Sequence, residues 1–383
     1  MRKICLLGAS GSIGLQTLEV MEESNDFVLV SFSVGHNHKV IEQILKKHHN
    51  VKSIYLINEK EAYRLTSLHP AIKFYSGSEG LKMLVETTEA EMVVNALVGF
   101  CGLVPSIVTL ERNLILALAN KESLVVGGEL INTLLSSGHG KLYPIDSEHS
   151  AILKCLLVDD QDVDKLILTA SGGAFRKLKR SQLENVTKKD ALAHPTWKMG
   201  AKITIDSATM VNKCFEVIEA HYLFDRPFSK VMILLHDESH VHSLVRYKHG
   251  SYRAEVNKPD MKNPIAFALY ETNYPFETRL AGDYKDYGNY HFKRFCNKRY
   301  PVMKWAKQVI VEKGIYGAVL NASNEIAVES FLNDEISFLT IERIIDKCML
   351  DVTNVKNPSI DVLIDIDAKT RQKARELAKE WRK

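Results

Sequence analysis

Lys3-Ile4-Cys5-Leu6-Leu7-Gly8-Ala9-Ser10-Gly11-Ser12-Ile13-Gly14 runs from an unbroken apolar stretch into three glycines spaced by three. Five apolar-rich residues bounded by glycine suit a buried strand, and Ser12–Glu22 beyond them has helical periodicity. Strand, glycine turn and helix start, in that order, let a backbone approach an anion closely and aim helix N–H groups at it. This is how a dinucleotide pyrophosphate is held. The spacing G-x-x-G-x-x-G is a variant of the usual fingerprint and also fits a purely structural turn. Its place between a first strand and an amphipathic helix favours the dinucleotide. Gly8, Ser10, Gly11, Ser12 and Ile13 are therefore candidate cofactor contacts.

Outward from this stretch the pattern repeats. Short apolar runs at Lys3–Leu7, Val28–Val34, Ser53–Ile57, Met92–Ala96, Leu114–Ala117 and Leu142–Ile145 read as strands. Ser12–Glu22, Lys39–His49, Gly80–Thr87 and Val104–Glu111 read as helices between them. Such alternation predicts an α/β fold: a Rossmann-like, doubly wound parallel sheet over residues 1–145. The second strand ends Val34-Gly35-His36-Asn37-His38-Lys39, without the carboxylate that usually holds an NAD ribose. Gly35, His36 and Asn37 suit a 2′-phosphate, so the expected cofactor is NADPH. Asn120, Lys121 and Glu122 follow a strand end and are a further candidate contact, or else an ordinary helix start.

A second region opens at Asp146-Ser147-Glu148-His149. If the strand before it continues, Asp146 and Glu148 project to one side. Oxygen ligands of this kind, with Glu216, suit Mg²⁺ or Mn²⁺ rather than zinc. The competing account is a capping Asp146 or Ser147 and a solvated Glu216. Asp206 or Ser207 is expected to cap a helix on which Asn212 and Glu216, four apart, share a face with Lys213 beside them. Serine, asparagine and lysine at a helix start can bind phosphate. Leu166–Thr169 and Met232–Leu235 read as strands, and Val241–Tyr247 with Ser251–Val256 as a hairpin around His249-Gly250. Between them, 171–200 is polar and loop-like, with Gly172-Gly173 and Met199-Gly200 as expected hinges. It carries His194 and Trp197, and reads as a lid that excludes water. Residues 146–278 are thus the expected central α+β catalytic domain, 279–300 a linker, and 301–383 a C-terminal helical domain.

Bulk properties narrow the class. At 383 residues, two or three domains are expected. A formal net charge of +3 gives no nucleic-acid footprint. No apolar run reaches membrane-spanning length. Six scattered cysteines form no C-x-x-C pair, which suits a reducing compartment. With a strand already begun at Lys3, the expectation is a cytoplasmic protein without a leader.

Taken together, Gly8–Gly14, Ala119–Leu124, Pro144–Ser150, Thr169–Gly173, His194–Gly200, Ile203–Ala220, Pro259–Met261 and Asn321–Glu325 resemble 1-deoxy-D-xylulose 5-phosphate reductoisomerases. The resemblance runs from the first strand into the C-terminal helices. It implies NADPH- and metal-dependent rearrangement and reduction of 1-deoxy-D-xylulose 5-phosphate to 2-C-methyl-D-erythritol 4-phosphate, for isoprenoid synthesis. It further implies metal ligands at Asp146, Glu148 and Glu216, and phosphate groups at Ser171, Ser207, Asn212 and Lys213. Ser147, Glu148 and Lys213 would lie at the reacting oxygens. His194, Trp197 and Met199 would cover the substrate, Gly200 would border the cofactor, and the protein would be a homodimer. The chain departs from the family pattern at His236-Asp237-Glu238-Ser239, Ala174, Cys214, Val256-Asn257-Lys258 and Phe295–Tyr300. None of these positions is an implied ligand.

Overall fold

The computed structural model describes residues 1–197, 199–273 and 288–382. The chain forms two compact units. Met1–Ser123, Leu130–Ser150 and the segment beginning at Met261 make the first; Leu124–Glu129, Ala151–Asp260 and the C-terminal part make the second.

The first unit is built on seven strands: β1 (Arg2–Leu7), β2 (Phe27–Val34), β3 (Ser53–Leu56), β4 (Lys73–Tyr75), β5 (Met92–Asn95), β6 (Ile115–Leu118) and β7 (Lys141–Pro144). They lie in the order β4-β3-β2-β1-β5-β6-β7, all parallel. Helices α1 (Ser12–Glu22), α2 (Val40–Lys47), α3 (Glu59–Leu68), α4 (Gly80–Thr87), α5 (Leu103–Glu111) and α6 (Lys121–Ser136) connect them. Alternation along β1 explains why both faces are covered. Ile4 and Leu6 enter one core with Leu29, Phe32 and Ile41, whereas Cys5 and Leu7 enter the other with Val30, Leu84 and Val93. Burying each such side chain contributes about 1.5–3 kcal/mol, so a strand apolar on both faces is stable only between two helical layers. The order reverses between β1 and β5, which start neighbouring connections on opposite sides. Ligands of open α/β sheets bind at the carboxyl ends of strands at such a reversal.

The second unit carries a mixed sheet of β8 (Val163–Ala170), β9 (Val231–Leu235), β10 (Val241–Tyr247), β11 (Tyr252–Val256) and β12 (Lys293–Arg294), ordered β11-β10-β8-β9-β12. The expected hairpin is present, with Gly250 at φ +93° in its turn. Helices α7 (Ser147–Val158), α8 (Lys188–Leu192), α9 (Ala201–Thr209), α10 (Val211–Phe224), α11 (Lys262–Leu269), α12 (Met303–Glu312), α13 (Tyr316–Leu332), α14 (Phe338–Asp351) and α15 (Ile360–Glu380) complete the described elements. The last four make the helical C-terminal region, in which α13 packs on both α14 and α15.

Several local expectations change. Ile265 and Leu269 of α11 enter the first unit's core, and Arg2 donates to the Leu269 carbonyl at 2.5 Å. That helix therefore belongs to the first sheet rather than to the region it follows in sequence. Within 279–300, residues 279–287 lie outside the described set. The remainder is not patternless, because β12 pairs antiparallel with β9. The stretch 171–200 holds a 3₁₀ segment, Arg180–Asn185, and α8.

Candidate functional site

The cofactor loop sits at the reversal between β1 and β5. Gly8 has φ +83°, and a Cβ there would stand 2.6 Å from the Ala96 carbonyl oxygen. Gly14 is tighter still, its absent Cβ lying 2.2 Å from the Gly8 oxygen. Ser33 at the end of β2 holds the turn, its Oγ accepting from Gly8 N at 2.8 Å. Helix α1 starts at Gly11 without a side-chain cap and without an acidic residue in its first turn. An anion thus meets helix N–H groups and no competing carboxylate. Ser10, Gly11, Ser12 and Ile13 line this start and are at least partly exposed. Gly35, His36 and Asn37 follow β2 at the same edge, with His36 and Asn37 exposed. These features fit a dinucleotide: glycines leave the space that side chains would fill.

Asn120 caps α6, its Oδ1 accepting from Ser123 N at 3.0 Å. Its Nδ2 donates to the carbonyls of Leu97 and Gly99, both at 3.0 Å, and to Glu122 Oε2 at 3.0 Å. Asn120, Lys121 and Glu122 are all buried. They are therefore not the solvated charges of an ordinary helix start. Asn120 ties the loop after β5 to the loop after β6, both at the carboxyl edge.

The same edge carries Asp146. Here β7 stops at Pro144 and α7 begins at Ser147, so the expectation of an extended Asp146–Glu148 pair is corrected. Asp146 Oδ1 instead accepts from the amides of Glu148 at 3.0 Å and His149 at 3.3 Å. Glu148 is in the first turn of α7, with Ser147 Oγ donating to its Oε2 at 2.5 Å. Lys121 Nζ pairs with Asp146 Oδ2, and His149 Nδ1 lies 3.1 Å from Oδ1. Capping and ligation are compatible, since a carboxylate offers about four acceptor positions.

In the second unit, Asn212 and Lys213 occupy the first turn of α10 and both reach Glu216. Asn212 Nδ2 donates to Oε1 at 2.6 Å and Lys213 Nζ to Oε2. Lys213 is 4 % and Glu216 1 % exposed. Two charges so buried are tolerable only as a hydrogen-bonded pair. The expectation that Asp206 or Ser207 caps α10 is corrected: both lie inside α9, and α10 starts from Met210 at φ +67°. A non-glycine residue in that region, itself buried, marks a constrained bend between the two helices.

Ser171 follows β8. Gly172 and Gly173 have φ +82° and +67°. The Gly173 position is close-packed, because a Cβ there would meet the Ser207 carbonyl oxygen at 2.4 Å. This glycine brings the Ser171 turn against Ser207. His194 Nδ1 accepts from the amides of Thr196 at 3.2 Å and Trp197 at 2.9 Å. Its Nε2 therefore carries the proton and donates to Ser171 Oγ at 3.2 Å. Burial, and then the positive charge of Arg176, lower the His194 pKa from 6.5 to about 4. The folded value lies below the unfolded one, so the unfolded chain takes up its proton first on acidification. Stability from neutral His194 is full above about 6.5 and is lost as pH falls towards about 4. The expected NMR titration of this ring has its midpoint near pH 4, and one near 6.5 would contradict the arrangement. Trp197 and Met199 are half-buried, and Gly200 is the exposed N-cap of α9.

Sequence reasoning missed the supports of these groups. Ser33 and Arg176 carry no local motif, and His149 was read only as the last residue of the Asp146–His149 run. Asn95 at the end of β5 was signalled only by being polar in an apolar strand; its Nδ2 donates to Gly102 O at 2.9 Å and Ser106 Oγ at 2.8 Å.

Comparison with known proteins gives the lineage. Residues 4–128 match the family described as 1-deoxy-D-xylulose 5-phosphate reductoisomerase, and 142–224 and 256–373 match two descriptions of its C-terminal domain. A 1-deoxy-D-xylulose 5-phosphate reductoisomerase of Bacillus cereus (strain AH187) is 41% identical over 375 residues, covering 97% of this chain and 98% of its own. The Zymomonas mobilis reductoisomerase solved in complex with NADPH superposes with TM-score 0.90 at 32% identity, covering 98% of this chain and 99% of its own. A DOX-P reductoisomerase solved with NADPH, fosmidomycin and magnesium also gives TM-score 0.90 at 32% identity, over 99% of this chain and 98% of its own. With that likeness along nearly its whole length, and with the glycine cradle and buried polar groups in place, this chain belongs to the 1-deoxy-D-xylulose 5-phosphate reductoisomerase family.

Proposed function

We infer that this chain is an NADP-dependent oxidoreductase that converts 1-deoxy-D-xylulose 5-phosphate to 2-C-methyl-D-erythritol 4-phosphate with a divalent cation, in non-mevalonate isoprenoid precursor synthesis. The observation that carries this is the 41% identity across 97% of the chain, joined to a dinucleotide cradle at the sheet reversal. Gly8, Ser10–Ile13, Gly35–Asn37, Asn120–Glu122 and Gly200 are assigned to NADPH. Asp146, Glu148 and Glu216 are assigned to the cation, and oxygen donors without cysteine or histidine suit Mg²⁺ or Mn²⁺. When bound, NADPH supplies a hydride and the cation polarises substrate oxygens.

The chain's own groups do the rest. Ser171, Ser207, Asn212 and Lys213 anchor the phosphate, so that both ends of a rearranging substrate stay in place. Ser147, Glu148 and Lys213 face the reacting oxygens, with Lys213 supplying a desolvated positive charge. His194, Trp197 and Met199 close over the substrate and exclude water. We assign 1–145 to NADPH binding, 146–278 to catalysis with a lid at 171–200 and with α11 excepted because it packs in the first unit, 279–300 to linkage, and 301–383 to the C-terminal domain. Tyr252 and Val256 are exposed on β11, which ends its sheet; such an edge supports a homodimer, readable by light scattering. Six free cysteines support a cytoplasmic setting, and among the described residues no helix is long and apolar enough to cross a membrane.

The test is NADPH oxidation with 1-deoxy-D-xylulose 5-phosphate, with and without Mg²⁺ or Mn²⁺, followed by product identification. Oxidation that requires the metal and yields 2-C-methyl-D-erythritol 4-phosphate is expected. Turnover that ignores the metal, or a different product, would reject the assignment.

A further inference from the structure

We propose that Asp206 is a positioning residue for phosphate binding, acting through Ser207 and held by Asn324. The proposal rests on Ser207 being a phosphate ligand. Asp206 is 2 % exposed and lies in the last turns of α9. A carboxylate in that setting persists only if it is hydrogen-bonded or paired. Asn324 Nδ2, from the buried face of α13, donates to Oδ1 at 2.9 Å across 118 residues of sequence. Lys202 Nζ, one helical turn earlier on α9, stands 2.9 Å from Oδ2. The same ammonium lies 5.3 Å from the centre of the Phe215 ring on α10. Asp206 thereby ties the end of α9 to α13 and, through Lys202, to α10.

What lies at this end explains why it is fixed. Ser207 is the adjoining residue. Its carbonyl abuts Gly173 in the turn that carries Ser171, and it accepts from Met210 N at 3.2 Å where the chain bends into α10. Beyond the bend come Asn212 and Lys213. One buried carboxylate thus sets the position from which Ser207 projects, close to the turn that presents Ser171. Asp206 need not touch the substrate to do this. An exposed helix cap, as the local sequence suggests, would have no partner on α13.

The experiment measures KM for 1-deoxy-D-xylulose 5-phosphate, competitive inhibition by inorganic phosphate, kcat and NADPH affinity in Asp206→Ala, Asp206→Asn, Asn324→Ala and Ser207→Ala. Loss of a charge-assisted buried hydrogen bond predicts a rise of about tenfold or more in both KM and the phosphate inhibition constant for Asp206→Ala. Asn324→Ala should shift both in the same direction, with kcat and NADPH affinity within about twofold of the parent. Asp206→Asn, which keeps an oxygen facing Asn324, should recover part of the loss. Unchanged phosphate inhibition in Asp206→Ala and Asn324→Ala would overturn the proposal, as would a fall in kcat alone. Should Asp206→Ala fail to fold, Asn324→Ala decides, because it leaves the Asp206–Lys202 pair intact. Ser207→Ala separates the two levels: if it too leaves phosphate inhibition unchanged, the phosphate assignment itself is wrong.

Discussion

Glu216→Gln is expected to lower metal-dependent turnover by about a thousandfold or more while leaving NADPH affinity within about twofold. The substitution keeps the side chain's volume and its ability to accept from Asn212. It removes the negative charge. A divalent cation is held by anionic oxygen, and polarising a substrate oxygen accounts for several kcal/mol of barrier lowering. Each 1.36 kcal/mol is tenfold in rate, so losing a ligand reaches a thousandfold readily. The change also leaves Lys213, buried beside it, facing a neutral amide. Activity titrated with Mg²⁺ and with Mn²⁺, beside NADPH binding followed by fluorescence, separates these effects. Metal-dependent turnover within threefold of the parent would remove Glu216 from the ligand set.

How far the sequence foretold this arrangement depends on the range of the interaction. Helices α1 and α4 match the expected Ser12–Glu22 and Gly80–Thr87, because each carries a continuous apolar stripe and a clear stop. Six of the seven parallel strands were legible as apolar runs, although β7 is only partly buried. The seventh, β4, is three residues with Lys73 exposed, too short and too polar to show a period. Helix α3 buries only Ala62 and Leu65, so its periodicity is faint. Its cap, Asn58 Oδ1 accepting from Glu61 N at 3.1 Å, was the available signal. Helix α6 was hidden by Gly127-Gly128, and Gly128 is there because a Cβ would stand 2.3 Å from the Tyr222 ring.

The site followed the same rule. Asn212 and Glu216 are four apart with Lys213 beside them, and the face shared by the first two was legible from spacing alone. Asp206 looked like a cap because Asp and Ser are good caps, whereas its actual partners are Lys202 and Asn324. Asp146 was placed on a strand because the apolar run before it reads as one. The strand instead stops at Pro144 and the chain turns into α7 at Ser147, inside the stretch expected to be extended, and the Asp146 carboxylate satisfies the new helix's first amides. Contacts between residues distant in sequence leave no local period, and they are where expectation and structure part.

Gly14→Ala should weaken NADPH binding by about a hundredfold or more, close to 2.8 kcal/mol at 1.4 kcal/mol per decade. The cause is backbone against backbone. The new methyl would stand 2.2 Å from the Gly8 oxygen and 2.7 Å from the Ala9 Cα. No rotamer relieves such a clash, so the first turn of α1 must move off the loop. The N–H groups assigned to the pyrophosphate move with it, and overpacking of this kind costs a further 1–3 kcal/mol or so in stability. Gly288→Ala is the matched control. Its Cβ would have no heavy atom within 4 Å, its φ lies outside the left-handed region, and it has no place in the cofactor assignment. Equilibrium NADPH titration of both variants, with circular dichroism to confirm that the sheet has folded, gives the comparison. If folded Gly14→Ala binds NADPH within threefold of the parent, the turn before α1 does not hold the cofactor, and the dinucleotide assignment built on Gly8–Gly14 fails with it.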